Sequence, residues 1–246
     1  MSSQQIVLFD LPSKDPCSCW SLNPWKTRLL LNYKGLDYRT EWVEYPDIKP
    51  RLEAHVPPHD ATYYTSYTIP AVLLPSGKYI MDSRQIANHL ESVYPNPPLH
   101  LDSPVLAKLE EIMTRLLPLL RPVYLPRVPR NILNERSRPY WMETRLKMTG
   151  GIPLDEFERA NPAEGAYDAA APLVREVTGW LKENGEGPFF LGAEVSYADF
   201  VWGGFLIFLE RVGEGALEKV LERSGDAEVH RRLLSGIERW SKRADH

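Results

Sequence analysis

Hydrophobic and polar positions divide the first part of the chain into short strands and helices. Residues 6–9 form a continuous apolar run that is typical of a buried strand. Asn23 and Pro24 then supply the residue types favoured at the N-cap and first position of a helix, and Gly35 suits the position just past its end. Residues 38–43 alternate aromatic or β-branched side chains with charged or polar ones, which predicts a second strand.

A hairpin and a second long helix are predicted after a proline-rich connection, which contains a short helix near 48–54. Ile69 runs directly into Pro70, at a place where a cis peptide bond is plausible. Two short apolar runs then flank the turn residues 75–77, as in a hairpin. Asp82 next occupies an N-cap position. The predicted order of the first ~95 residues is β-α-β-(α)-β-β-α.

The chain after Pro104 shows no strand alternation and is predicted to be helical. Ser196 and Asp199 have the spacing of a capping box. The helix that they open is apolar almost all round over 200–209, as expected of a helix in the middle of a bundle. We therefore predict an α/β domain followed by an all-α helical bundle.

Composition and charge limit the classes of function. The net charge of −4, without a run of like charges, indicates neither nucleic acid nor an anionic membrane as a partner. No apolar stretch reaches the roughly 18 residues that span a bilayer. The start M-S-S-Q-Q lacks the basic and apolar parts of a signal peptide. Cys17 and Cys19 are too close for an ordinary disulfide, so a reducing cytoplasm is expected.

The motifs, taken in order, resemble those of cytosolic glutathione transferases. Ile69-Pro70 resembles the cis-proline loop of that family, Asp82-Ser83 its γ-glutamyl-binding pair, and 196–199 the capping box of its central C-terminal helix. The segment 20–38, W-S-L-N-P-W-K-T-R-L-L-L-N-Y-K-G-L-D-Y, resembles the start of the serine-type classes. Its closest resemblance is to the fungal FuA class, which is similar in turn to bacterial β-etherases.

This resemblance implies a two-domain architecture and a co-substrate. Residues 1–95 would form a thioredoxin-like glutathione-binding domain, 96–104 a linker and 105–246 an all-helical substrate-binding domain. Glutathione would be the co-substrate, without a metal, and the protein would form a cytoplasmic homodimer. The histidines agree, because Pro57 and Pro58 preclude a helix between His55 and His59, and no third metal ligand is near.

Ser21 is the candidate catalytic residue. Glutathione attacks as a thiolate, and a free thiol has a pKa of about 8.5. A hydroxyl donor and a helix N-terminus both favour the thiolate, and Ser21 lies two residues before Asn23 at such an end. It matches the catalytic serine of the serine-type classes. Ser21 could instead be a loop serine in a local turn, and Ser18 could take the role if the loop is longer.

The candidate glutathione ligands come from four segments. Asn23 could cap its helix or point its amide at the thiolate, and the structural role is favoured. The resemblance implies that Ile69 presents its backbone N–H and C=O to the cysteinyl part of glutathione. It also implies that Ser83 binds the glutamyl carboxylate and Asp82 the ammonium. Lys49 is the candidate for the glycyl carboxylate, with Arg51, His55 and His59 as alternatives.

The second substrate is expected between the domains, beside an aromatic region containing Tyr124, Tyr140 and Trp141. Such residues suit flat, hydrophobic ligands, although they could equally form interhelical core. Tyr63, Tyr64 and Tyr67 could line the same cleft or a dimer contact. The similarity to β-etherases implies aromatic electrophiles derived from lignin or wood, with β-aryl ether cleavage among the reactions.

Two other functions remain open from the sequence. A glutathione-dependent redox enzyme would use Cys19 or Cys17 as a low-pKa nucleophile, although C-S-C is not the C-x-x-C motif. A non-catalytic ligandin would bind polyphenols without conjugating them. Iodoacetamide alkylation separates the first of these functions from a serine-type transferase, because it inactivates only a cysteine enzyme.

Overall fold

A computed structural model describes residues 5–60, 65–183, 185 and 187–245. Its N-terminal part is built on a four-stranded sheet with the strand order β2-β1-β3-β4. The strands are β1 Ile6–Asp10, β2 Tyr38–Trp42, β3 Ala71–Leu73 and β4 Tyr79–Met81. Strand β1 is parallel to β2 and antiparallel to β3, and β3 and β4 form the predicted hairpin. All five residues of β1 are buried, as the continuous apolar run predicts for a central strand.

Three α-helices accompany this sheet. They are α1 Leu22–Tyr33, α2 Ile48–Leu52 and α3 Ser83–Val93. The Ile69–Pro70 peptide bond is cis. Asp82 is the N-cap of α3, where its carboxylate accepts hydrogen bonds from the backbone N–H groups of Arg84 and Gln85 at 2.9 and 3.2 Å. The predicted order β-α-β-(α)-β-β-α is therefore confirmed.

The start of α1 differs from the prediction. Ser21, not Asn23, is the N-cap, since Ser21 has extended backbone angles and its carbonyl accepts a hydrogen bond from the N–H of Trp25 at 3.1 Å. Asn23 and Pro24 lie within the first turn. Proline is tolerated there because the N–H groups of the first turn have no partner within the helix, so its presence does not fix where the helix begins.

A buried ion pair fixes α1 on the sheet. The Arg28 guanidinium donates to the Asp10 carboxylate at 2.8 Å and to the Thr40 hydroxyl at 3.0 Å. Both charged side chains are fully buried. Removing one partner of such a pair would leave a buried charge and cost roughly 3–5 kcal/mol. Arg28 therefore joins α1 to β1 and β2, and it holds the first turn of the helix at one place on the sheet.

The rest of the described chain is helical, as predicted. The helices are α4 Pro104–Leu119, α5 Arg121–Asn131, α6 Arg138–Arg145, α7 Leu154–Ala160, α8 Ala163–Glu183, α9 Tyr197–Val212, α10 Ala216–Glu222 and α11 Ala227–Ser241. In the described part of the chain, no helix has the length and apolar character needed to cross a membrane.

Helix α9 is the centre of the helical part and also contacts the N-terminal part. Asp199 accepts hydrogen bonds from the N–H and hydroxyl of Ser196 at 2.7 and 2.8 Å, so the predicted capping box is confirmed. The Tyr197 hydroxyl donates to the carbonyl of Ser83 at 3.1 Å. Gly204 lies against the first turn of α1, because a Cβ atom there would be 3.0 Å from the carbonyl oxygen of Leu22. The starts of α3 and α1 are therefore both in contact with α9.

Candidate functional site

Two adjoining pockets meet at the N-terminus of α1. The inner pocket has a volume of about 40 Å³ and the outer pocket about 290 Å³. Ser21, Asn23, Tyr45 and Arg145 line both of them. The inner pocket is also lined by Leu11, Ile48, Thr65, Tyr67, Thr68, Ile69 and Tyr140. The outer pocket is also lined by Trp20, Leu22, Met113, Thr114, Leu117, Pro118, Arg121, Tyr124, Trp141, Met148 and Phe208.

Ser21 lies at the helix end where the two pockets meet. It is the N-cap of α1, but its hydroxyl makes no capping hydrogen bond. The hydroxyl is therefore not used by the helix end, and the free N–H groups of the first turn lie beside it. A helix N-terminus behaves as roughly half a positive charge, so this corner of both pockets favours an anion. Ser18 lines neither pocket.

Ile69 contributes its main chain to the inner pocket. Its side chain is buried, and the cis peptide bond to Pro70 follows it directly. Within the described part of the chain, neither its N–H nor its C=O has a hydrogen-bond partner. Unpaired main-chain groups at the edge of a core are normally satisfied by water or by a ligand. Ile69 therefore offers one donor and one acceptor at the pocket that Ser21 also lines.

Asp82 and Ser83 lie further along the same side of the sheet. The N–H of Asp82 donates to the carbonyl of Pro70 at 3.1 Å, which places the start of α3 next to the residue after Ile69. Asp82 lines a separate open cleft of about 700 Å³. Ser83 is buried, and its carbonyl accepts the bond from Tyr197. Asp82 has backbone φ of 81°, a conformation uncommon for a residue other than glycine and asparagine.

The two lysines near the site differ from the sequence-based picture. Lys49 has a 70% exposed side chain, pairs with Glu53 at 3.9 Å and lines neither of the two pockets. Lys26 is half-buried, although lysine side chains are mostly exposed. Burial lowers the pKa of Lys26 to about 8, and the carboxylates of Asp82 and Glu110 oppose that shift.

The aromatic residues predicted to bind the second substrate are divided between the two pockets. Tyr124 lines the outer pocket on α5. Trp141 forms a wall of the same pocket, but it is 4% exposed and its indole N–H donates to the carbonyl of Leu125 at 3.0 Å. Tyr140 lines the inner pocket and stacks on Tyr45, with ring centroids 5.8 Å apart. Trp141 is therefore also part of the interhelical core.

Tyr63 and Tyr64, which were also predicted to line the cleft or a dimer contact, lie outside the described part of the chain. Tyr67 lines the inner pocket.

Sequence reasoning missed two residues that line both pockets. The backbone N–H of Tyr45 donates to the Ser137 hydroxyl at 3.0 Å, which holds Tyr45 against the start of α6. Arg145 is 4% exposed, and its guanidinium lies 4.2 Å from the ring centroid of Trp141. The spacing of four residues between Trp141 and Arg145 puts them on one helix face and could have indicated this stacking. No comparable local signal points to Tyr45.

The cysteines are unsuited to act as nucleophiles. Cys19 is fully buried, and burial raises the pKa of its thiol well above the ordinary value, with the Asp10 carboxylate adding to the shift. Burial also raises the pKa of Cys17, although a hydrogen bond from the backbone of Ser13 opposes it. Neither thiol lines the two pockets. A reactive cysteine needs a lowered pKa and access to substrate, so the redox hypothesis loses its chemical basis.

The histidines considered as metal ligands have other contacts. His55 stacks on Tyr79 with ring centroids 4.1 Å apart, and His59 lies 2.8 Å from the Thr68 hydroxyl. Among the described residues, no group of three or more His, Cys, Asp or Glu side chains could hold a metal ion.

Comparisons with known proteins agree with this geometry. The family described as glutathione S-transferase, N-terminal domain, matches residues 20–93, and its C-terminal domain matches 109–240. The glutathione S-transferase-like protein ustS of Aspergillus flavus is 34% identical over 226 residues, which cover 84% of this chain and 80% of that protein.

Solved structures of fungal enzymes are similar over almost the whole chain. A glutathione S-transferase of Ceriporiopsis subvermispora in complex with glutathione is 30% identical with a TM-score of 0.82, covering 97% of this chain and 98% of that one. Glutathione transferase GSTFuA3 from Phanerochaete chrysosporium is 28% identical with a TM-score of 0.83, covering 98% of each chain. The predicted resemblance is confirmed, and the chain belongs to the glutathione S-transferase family.

Proposed function

We propose that this protein binds glutathione along the side of the sheet that runs from the inner pocket past Ile69 to Asp82 and Ser83, and that it activates the thiol through Ser21. The observation that carries the proposal is the unpaired N–H and C=O of Ile69 at the pocket that Ser21 lines. One donor and one acceptor on the same residue can pair with the main chain of the cysteinyl residue, as an added strand would. A solved relative from Ceriporiopsis subvermispora contains glutathione, which supports the same ligand here.

The mechanism follows from the charges at the helix end. With the cysteinyl residue on Ile69, the thiol lies towards the N-cap of α1. The Ser21 hydroxyl donates to the sulfur, and the partial positive charge of the helix end adds to this stabilisation. Both effects favour the thiolate over the thiol, so they lower the pKa of bound glutathione and raise the fraction of nucleophile at neutral pH.

The remaining parts of glutathione are assigned by position. Asp82 and Ser83, next to Pro70, receive the γ-glutamyl end, with Asp82 on the ammonium and Ser83 on the carboxylate. Asn23, exposed in the first turn of α1, contributes its amide at the mouth of the inner pocket. Lys49 is the weakest of these assignments, because its side chain is exposed and outside the pocket lining.

The electrophile occupies the outer pocket. Its lining of Tyr124, Trp141, Met113 and Phe208 suits a flat aromatic molecule. The thiolate forms a C–S bond at the electrophilic carbon, and a leaving group, where present, departs with its bonding electron pair. Resemblance to the FuA and β-etherase classes favours lignin- or wood-derived aromatics and β-aryl ether cleavage. In this proposal residues 1–95 bind glutathione, 96–104 are the linker and 105–246 supply the substrate pocket.

Calorimetric titration with reduced glutathione at neutral pH tests the proposal. We expect binding in the micromolar to low millimolar range. Ser83→Ala should weaken it by roughly tenfold, since a hydrogen bond to a charged group contributes about 1.5–3 kcal/mol. Ser92→Ala, which removes an exposed hydroxyl near the far end of α3, is the matched control and should bind as wild type does. Absence of binding would remove the transferase function and leave the ligand carrier.

A further inference from the structure

The outer pocket carries positive charge that an apolar ligand does not need. Arg121 and Arg145 both line it, whereas none of its described lining residues is Asp or Glu. The rest of the lining is mostly aromatic, aliphatic or thioether, with a few uncharged polar groups. A ligand in this pocket therefore displaces water from beside the half-buried Arg121 and lies next to the buried Arg145. Leaving a cation without hydration or a counter-charge is costly.

Contacts with the protein fix the position of both guanidinium groups. Arg145 is 4% exposed, lies over the rings of Trp141 and Tyr45 at 4.2 and 5.5 Å, and donates to the Thr144 hydroxyl at 2.9 Å. Arg121 donates through Nη1 to the carbonyl of Met148 at 3.1 Å, in the turn that follows Arg145. The carbonyl contact orients the Arg121 guanidinium without neutralising its charge.

Arg121 has no neighbouring counter-ion in the described part of the chain. Its only hydrogen bond there is the one to Met148, and no carboxylate lies within 4.0 Å of it. Other arginines of the helical part are different, since Arg127 pairs with Glu214 at 3.0 Å and Arg223 with Asp168 at 2.6 Å. Each guanidinium has five N–H donors in a planar fork that matches a carboxylate or sulfonate.

We propose that the outer pocket selects aromatic molecules that bear an anionic group, a carboxylate or a sulfonate, which Arg121 and Arg145 bind while the ring packs on Tyr124 and Phe208. This narrows the second substrate of the proposed transferase from hydrophobic aromatics in general to aromatic anions. A neutral aromatic ligand of the same shape gains the ring contacts but loses the charge-assisted hydrogen bonds, so it binds more weakly.

A matched pair of fluorescent ligands tests the selectivity. Anilinonaphthalene sulfonate and phenyl-naphthylamine share the same aromatic units and differ in the sulfonate. Each is titrated into the full-length protein without glutathione, so the result does not depend on transferase activity. We expect the sulfonate to bind at least roughly tenfold more tightly, the effect of one charge-assisted hydrogen bond. Equal affinities, or tighter binding of the neutral amine, would overturn the proposal.

Variants then locate the binding of the anion. Arg121→Gln should reduce the ratio of the two affinities roughly tenfold, mainly by weakening the binding of the sulfonate ligand. Arg115→Gln removes the same charge from an exposed position on α4 outside both pockets, and it should retain the wild-type ratio. If both variants keep the wild-type ratio, or lose it equally, the assignment is wrong.

The buried Arg145 offers an independent readout. Arg145→Lys keeps the charge but loses the planar fork, so it should give a ratio between those of wild type and Arg145→Gln. Identical ratios for wild type and Arg145→Gln would exclude Arg145 from anion binding. Calorimetry with glutathione on the same proteins reports separately on the proposed function, so failure of one proposal is distinguishable from failure of the other.

Discussion

At the scale of single residues, the proposed mechanism depends on the hydroxyl of Ser21. Ser21→Ala removes the donor to the sulfur but leaves the helix end and the Ile69 main chain in place. We expect kcat to fall about 10- to 1000-fold, the usual effect of losing one donor of this kind, while the glutathione Kd changes little. The pKa of bound glutathione should rise in the variant, because the thiolate loses a hydrogen bond. Thiolate absorbance against pH measures this shift directly.

Ser18→Ala is the matched control for that experiment. Ser18 lies in the same loop but lines neither pocket, so its removal should leave kcat and the thiol pKa unchanged. The role of Ser21 is refuted if Ser18→Ala, rather than Ser21→Ala, lowers turnover.

The residues that sequence reasoning could find are those with a local pattern. Ser21 was marked by its position before a helix, and Asp82 by its position at another helix start. Tyr45 and Arg145 were missed because their place in the site depends on how α6 packs beside the N-terminal part. The N-cap role predicted for Asn23 was wrong, since an Asn-Pro pair is compatible with more than one helix start. The backbone angles of Ser21 and the hydrogen bond from the Trp25 N–H to its carbonyl identify the true N-cap.

At the scale of elements, the crossing of α1 and α9 decides where Ser21 lies. Gly204→Ala places a Cβ 3.0 Å from the Leu22 carbonyl oxygen and 3.2 Å from the Trp25 Cβ. These are first-turn atoms, so the start of α1 must shift by a few tenths of an ångström. We expect kcat to fall by roughly tenfold, because small misplacements of a catalytic group are costly. Steady-state kinetics and the free energy of unfolding should be measured together.

Gly179→Ala on α8 is the control for this substitution. No atom lies within 4 Å of the added Cβ, so alanine should stabilise the helix by up to about 1 kcal/mol and leave kcat unchanged. A Gly204→Ala enzyme with wild-type kcat would show that the crossing tolerates the methyl group and does not position Ser21. Sequence periodicity predicted both helices, but it contains no information on their closest approach.

At the scale of the whole molecule, the order of strands and helices was predictable because short-range patterns dominate it. Apolar runs, turn residues and capping residues each identify an element without reference to its neighbours. Buried polar contacts between distant helices leave no such pattern. His230 on α11 shows this, because it bonds Trp202 on α9 and Thr178 on α8, both at 2.9 Å, although the three residues are far apart in sequence.

This buried histidine should make the stability of the whole protein depend on pH. The indole N–H of Trp202 donates to Nδ1 of His230, so the imidazole is neutral, with its proton on Nε2 beside Thr178. Burial lowers the pKa of His230 from 6.5 to about 4, although Asp226 opposes the shift. Between these values the unfolded chain binds a proton that the folded protein does not. Stability is therefore complete above the unfolded pKa and is lost as the pH falls towards the folded one.

The expected size of this loss is about 2 kcal/mol between roughly pH 7 and pH 5. Urea unfolding at the two pH values measures it. His230→Asn retains an acceptor for Trp202 but cannot titrate, so it should be less stable than wild type at neutral pH yet lose about 2 kcal/mol less on acidification. Comparing the stability that each protein loses on acidification separates the effect of titration from that of packing. The volume that asparagine fails to fill costs the same free energy at both pH values. If the variant loses as much stability as wild type, other groups carry the acid sensitivity.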